Sequence, residues 1–154
     1  MQIPPELWVF LVSMTPIAEL RGAIPLAFSM NMNPWEAYAI SVMGNLVPVP
    51  LILGLLQYAE RYLRRYDRWE KFFTWLFAWT REKATNRIRR GEEIGLIAFV
   101  AIPLPITGAW TGSLLAYLFG LRQGRSFSCI AIGVAIAGVI VSLACEGLIW
   151  IWHL

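Results

Sequence analysis

The chain alternates between long uncharged stretches and short, densely charged ones. Four apolar regions stand out: residues 7–32, interrupted by Glu19 and Arg21; residues 37–59; residues 94–121; and residues 126–152, broken by Glu146. A charged stretch, residues 60–93, separates the second region from the third. A helix needs about 20 residues to cross the hydrocarbon core of a bilayer. Regions two and four therefore each predict one crossing. Gly44, Pro48, Pro50 and Gly54 predict a kink in the first of these. In the second, Gly133 with Ala137 and Gly138 with Ser142 place small residues four apart, which lets helices approach closely in lipid.

Regions one and three read differently. As one straight helix, residues 94–121 would run about 42 Å against a core of about 30 Å. Their centre is "PLPITGAWTG", where Pro103 and Pro105 remove two backbone donors and Gly108 and Gly112 weaken the helix around them. This predicts a re-entrant hairpin that goes half-way in, turns and comes back out. Bare turn backbone is too costly in lipid, so the tip must be buried in protein or line a wet cavity. Residues 7–32 have the same anatomy: "LWVFLVSMT" goes in, "PIAELRGAIP" turns and "LAFSM" returns. The two halves align without gaps at an offset of 89, which sets Pro16-Ile17 on Pro105-Ile106 and Gly44 on Gly133.

Composition strengthens the membrane reading. Among 154 residues, 58% are hydrophobic and 15% charged, with eight Trp and eight Phe, more apolar surface than a soluble domain of this size can hide. The net charge of +3 does not call for nucleic acid, because the basic residues are gathered in a way that topology explains. Ten of the 13 Lys and Arg lie between Arg61 and Arg90; Arg122 and Arg125 sit between regions three and four; the last is Arg21. The positive-inside rule then puts residues 60–93 and 121–126 in the cytoplasm and both termini outside. The hairpins enter from opposite sides, so the halves are inverted repeats whose tips meet near the midplane, a recurring transporter plan. In "YDRWEKFFTWLFAW" the side chains of Trp69, Phe72, Phe73, Leu76 and Phe77 fall on helical spacings, which suits an amphipathic helix at the membrane surface.

The candidate chemistry gathers at the two tips. Glu19 and Arg21 are ionisable groups in a membrane-embedded turn, where charge requires a partner or a wet cavity. Glu19 can bind and release a proton; Arg21 offers a fixed charge and five donors for a phosphate or carboxylate. A salt bridge that merely holds the tip together is the alternative. At the second tip Thr107 and Thr111 offer hydroxyls, Trp110 an indole N–H, and Gly108 and Gly112 close backbone approach; hydroxyls capping broken helix ends are the plainer reading. Asn45 can bond a freed backbone group or a substrate. Glu146 reads as a half-exposed interfacial carboxylate. Cys129 and Cys145, about 24 Å apart on one helix, are too far apart for a disulfide and read as packed thiols. His153, next to the chain end, reads as solvated or interfacial. No Cys/His spacing suggests a metal, and no cofactor is expected.

"PIAELRGAIPLA" together with "FVAIPLPITGAWTGSLLAYLFGL" resembles the small multidrug export family of prokaryotic membrane proteins, and "GNLVPVP" and "GVAIAGVIV" fit the same pattern. That family is similar to the DedA, or VTT-domain, superfamily, whose members have two facing re-entrant hairpins and some of which move lipids across membranes. The resemblance implies that Glu19 is the counterpart of the acidic residue in the first DedA hairpin. It also implies proton coupling. DedA proteins carry arginines beside the proline of the second hairpin, whereas residues 102–112 hold none.

The expected protein is thus an all-α polytopic membrane protein of inverted repeats, each a re-entrant helical hairpin followed by a transmembrane helix, joined by a cytoplasmic amphipathic segment. It is one membrane domain, residues 1–154: a first repeat at 1–59 (hairpin 7–32, span 37–59), a linker at 60–93 and a second repeat at 94–154 (hairpin 94–121, span 126–152). The expected function is proton-coupled transport of an anionic lipid or small amphipathic molecule in the prokaryotic cell membrane. The pathway residues are Glu19, Arg21, Asn45, Thr107, Gly108, Trp110 and Thr111. Two full spans give little wall around a cavity, so a second copy of the chain is an expected partner. An enzyme on lipid-linked phosphate is the alternative, though no nucleophile or metal cluster is evident for it; a non-transporting accessory subunit is another.

Overall fold

A computed structural model describes residues 4–63, 86–104 and 107–152. In chain order the helices are α1 (Pro5–Met14), α2 (Glu19–Ser29), α3 (Pro34–Leu46), α4 (Pro48–Leu63), α5 (Asn86–Ala101), α6 (Ala109–Leu118) and α7 (Gln123–Trp152). No strand occurs among the described residues. The aromatic stretch at residues 66–79 and His153 lie outside the described residues. Helix extends into both ends of the expected linker, since α4 continues to Leu63 and α5 begins at Asn86.

The helix boundaries follow from local chemistry. Prolines open α1 and α3, where a missing N–H costs nothing. Asn33 caps α3 by accepting from the Trp35 N–H at 3.0 Å. The chain turns extended at Thr15, as the residue before a proline prefers. Between α3 and α4, Val47 keeps helical dihedrals of −57° and −46°, and its N–H still reaches Gly44 O at 3.3 Å. The interruption there is a lost hydrogen bond at Pro48, not a turn of the chain. Pro34–Ala59 and Gln123–Leu148, 26 residues each, are both long and apolar enough to cross a membrane.

Several local features recur at the 89-residue offset. Each short second helix ends in the same cap. Asn31 (φ 56°) and Gly120 (φ 66°) take the left-handed conformation. The following amides bond back, Met32 N–H to Ala27 O and Leu121 N–H to Ala116 O, both at 3.1 Å. Each span carries a glycine where the first helix of its half crosses it. A Cβ on Gly44 would run into Ser13 and the Phe10 carbonyl of α1; one on Gly133 would lie 2.7 Å from Val100 Cβ of α5. Gly138 likewise packs on Tyr38, so Gly133 and Gly138 of α7 serve contacts within this chain.

Packing then crosses between the halves. α2 lies against α7, α6 against α4, and the spans α3 and α7 against each other. The core they share includes Leu20, Ile24, Val49, Leu53, Leu96, Val100, Ile130 and Val134, with a smaller cluster of Val9, Ala23, Ala27 and Ala37 beneath α1. Cys129 and Cys145 are free thiols in or beside this core. This exchange brings the turn between α1 and α2 against the break between α5 and α6.

Candidate functional site between the two tips

The first turn satisfies its own backbone. The Thr15 hydroxyl donates to Val12 O at 2.7 Å and accepts from the Ala18 N–H at 3.3 Å. The Glu19 N–H returns to Thr15 O at 3.1 Å. Glu19 itself sits at φ 49°. For a residue with a Cβ that conformation costs about 1–3 kcal/mol and persists only where the surroundings impose it.

The second break is served from the first. Gly108 is the N-cap of α6 and has no side chain to offer the helix's bare amides. Glu19, 6% exposed, fills that role from the other half: its carboxylate accepts from the Trp110 N–H at 3.4 Å. The negative charge meets the positive end of the α6 dipole. Gly108 lies so close that a Cβ there would overlap the carboxylate. Within its own turn, Gly108 donates its N–H to Thr111 Oγ1 at 3.0 Å.

Arg21 serves the other side of the break. Its guanidinium donates to the carbonyls of Leu104 and Ile102, just past the end of α5, and to Thr107 Oγ1 at 3.3 Å. Its positive charge thus meets the negative end of the α5 dipole. Thr107 tightens the same bend by donating to Ile102 O at 2.6 Å and accepting from the Leu104 N–H at 3.2 Å. In return, Trp110 donates its indole N–H to Met14 O, at the end of α1, at 3.2 Å. Glu19 and Arg21 are themselves 4.0 Å apart, a loose ion pair; each charge is directed mainly at a helix end.

Around this clasp lies a cleft of about 570 Å³, lined by Pro16, Ile17, Ala18, Glu19, Arg21, Gly22, Pro103, Trp110 and Thr111. Its walls are apolar at Pro16, Ile17, Ala18 and Pro103 and charged at Glu19 and Arg21. Of the residues expected from sequence, the structure brings Glu19, Arg21, Thr107, Gly108, Trp110 and Thr111 together. Asn45 does not line the cleft; its amide is buried with no hydrogen-bond partner among the described residues. The backbone carbonyls of Met14, Ile102 and Leu104 carry no sequence signature, and sequence reasoning missed them. The 89-residue offset held a clue, because it sets Glu19 on Gly108 and Arg21 on Trp110. No group of three or more metal-ligating side chains occurs among the described residues.

Two apolar helices of membrane length, and a cleft built where two helical breaks meet, suit a membrane protein. The chain belongs to the family described as "Putative small multi-drug export protein", whose model matches residues 19–140. No curated protein and no solved structure matches the chain.

Proposed function

We propose that the protein is a proton-coupled membrane transporter whose substrate site is the cleft between the tips. The observation that carries this reading is the convergence of the two breaks, more than 80 residues apart in sequence, on one cleft holding a buried carboxylate and a guanidinium. The family's export description agrees with it.

In this reading α1–α2 and α5–α6 are re-entrant hairpins that enter from opposite sides. The lengths support it: α1, α2 and α6 have 10, 11 and 10 residues, about 15–17 Å of helix, half of a hydrocarbon core of about 30 Å. The contact of Arg125 Nη1 with Glu93 Oε1 at 3.4 Å brings the two basic connecting segments to the same end, as a shared cytoplasmic side requires. The similarity of the small multidrug export family to DedA proteins, which would make Glu19 the counterpart of the acidic residue in their first hairpin, supports the same architecture. The cleft suits an amphipathic molecule with an acidic head: the apolar tip residues hold its body and Arg21 its anion. Glu19 carries the coupled proton. When the carboxylate is protonated its grip on the α6 amides weakens, and the tips are free to part.

The test uses proteoliposomes with a trapped pH-sensitive dye and a short-chain fluorescent phosphatidate as probe. Glu19→Gln keeps probe binding but loses its pH dependence and uncouples proton flux. Arg21→Lys keeps the charge and weakens binding about tenfold, because the planar fork is lost. If both variants bind and transport like the parent at every pH, the site does not lie between the tips. Single cysteines near positions 85 and 123 should label from the same side of the membrane. Labelling from opposite sides would mean that residues 94–121 cross it.

A further inference from the structure

A second recess lies at the far end of the molecule from the tips. α2 runs away from the tips and α3 begins where α2 ends, so residues 33–38 sit at that far end. There they face the C-terminal part of α7. Trp35, Tyr38, Val139, Ser142, Leu143 and Glu146 help to line a groove of about 440 Å³, within the range of small-molecule sites.

Its walls are held in place. The Tyr38 hydroxyl donates to Ala135 O at 3.2 Å, and its ring lies on Gly138, where a Cβ would come 2.7 Å from Cε2. Trp35 stands on a first turn fixed by Pro34 and by the Asn33 cap. The indole is nevertheless 81% exposed, so the groove has a large aromatic wall that the chain does not cover. Across it, Glu146 is exposed and has no ion-pair partner among the described residues. The Ser142 hydroxyl has no hydrogen-bond partner there either.

The charge around the groove has one sign. Glu6, at the start of α1, and Glu36, beside Trp35, lie at the same end as Glu146; among the described residues no Lys or Arg does. The described basic residues of the chain lie at the tips or at the linker end. The repeat does not dictate this chemistry, because the positions 89 residues from Trp35 and Glu146 are Gly124 and Gln57. We infer that this groove is a binding site for a hydrophobic organic cation. Val139 and Leu143 take its apolar body, Trp35 and Tyr38 its charge over their ring faces, and Glu146 is the counter-ion. An exposed carboxylate beside aromatic faces repels the acidic head that Arg21 would bind, so this site and the tip cleft select opposite charges. The inference concerns binding alone and stands whether or not the tip cleft transports.

The experiment is equilibrium binding of tetraphenylphosphonium to the full chain in nanodiscs of zwitterionic lipid. It is read by tryptophan fluorescence and isothermal calorimetry, with empty nanodiscs as the blank. The expected result is saturable one-site binding that Glu146→Gln weakens about tenfold. Trp35→Ala weakens it similarly, and Trp35→Phe restores most of it. Triphenylphosphine oxide, a neutral molecule of similar shape, does not compete. Glu146 and Trp35 are exposed, so these variants keep the parent's thermal stability. Unchanged binding in Glu146→Gln and Trp35→Ala, or equal competition by the neutral molecule, would overturn the inference. So would binding in detergent that disappears in nanodiscs, which would assign the groove to bilayer lipid.

Discussion

Glu19 and Gly108 correspond at the 89-residue offset, yet one bears a carboxylate and the other no side chain. They are also in contact. Where they meet there is room for one side chain, not two. The neighbouring pair shows the other outcome. Arg21 and Trp110 also correspond at this offset, but each reaches to the end of the opposite half's first helix, Arg21 to Ile102 and Leu104, Trp110 to Met14. Where the two positions are apart both can carry a donor; where they touch one must yield. The first turn is therefore closed mainly by its own Thr15, whereas the second adds to its own Thr107 and Thr111 the charged groups of the first.

The largest effect should come from exchanging the charges. If Glu19 and Arg21 formed a simple strut, the double variant Glu19→Arg, Arg21→Glu would recover part of what each single change loses. The clasp predicts the opposite, because each charge then meets the wrong helix end. The double variant should lose about 4 kcal/mol, no less than the worse single variant, as read by thermal unfolding in detergent. Recovery would restore the strut.

Gly108→Ala comes next. Its φ of −173° suits any residue, so any damage is steric. The added Cβ displaces the Glu19 carboxylate from the α6 amides, and a loss of about 3 kcal/mol is expected. Adding Glu19→Ala to it should then cost little more, which a double-mutant cycle measures. Additive losses would mean that the two residues do not share one space.

Arg21→Lys and Trp110→Phe compare the reciprocal donors. Lysine cannot span two carbonyls and a hydroxyl, and about 2 kcal/mol should be lost. Phenylalanine keeps the ring and loses one neutral hydrogen bond, about 1 kcal/mol. Equal losses would remove the asymmetry between the tips. The smallest effect is the control. Nothing lies within 4 Å of a Cβ at Gly54. Gly54→Ala should therefore leave stability unchanged or raise it by up to about 1 kcal/mol through helix propensity.

Much of this was legible before folding. Uncharged runs of set length predicted the two membrane-length helices, because a chain without polar relief has few places to go but an apolar medium. Prolines and glycines marked both breaks, since a missing donor weakens the helix that has to pass it. Glu19 and Arg21 stood out because charge in such surroundings must be answered. What the residues alone left open was the answer. The sequence allowed the pair to bond to each other or to a substrate, and the structure turns each toward a helix end in the other half. Those partners are backbone groups, which every residue carries and no composition reveals. Asn45 looked equivalent to the tip residues by its polarity, but the path of α3 buries it away from the cleft. Helix lengths and breaks are written locally, in the order of neighbouring residues. The joining of the two tips depends on packing α2 against α7 and α6 against α4, and only the folded chain brings those surfaces together.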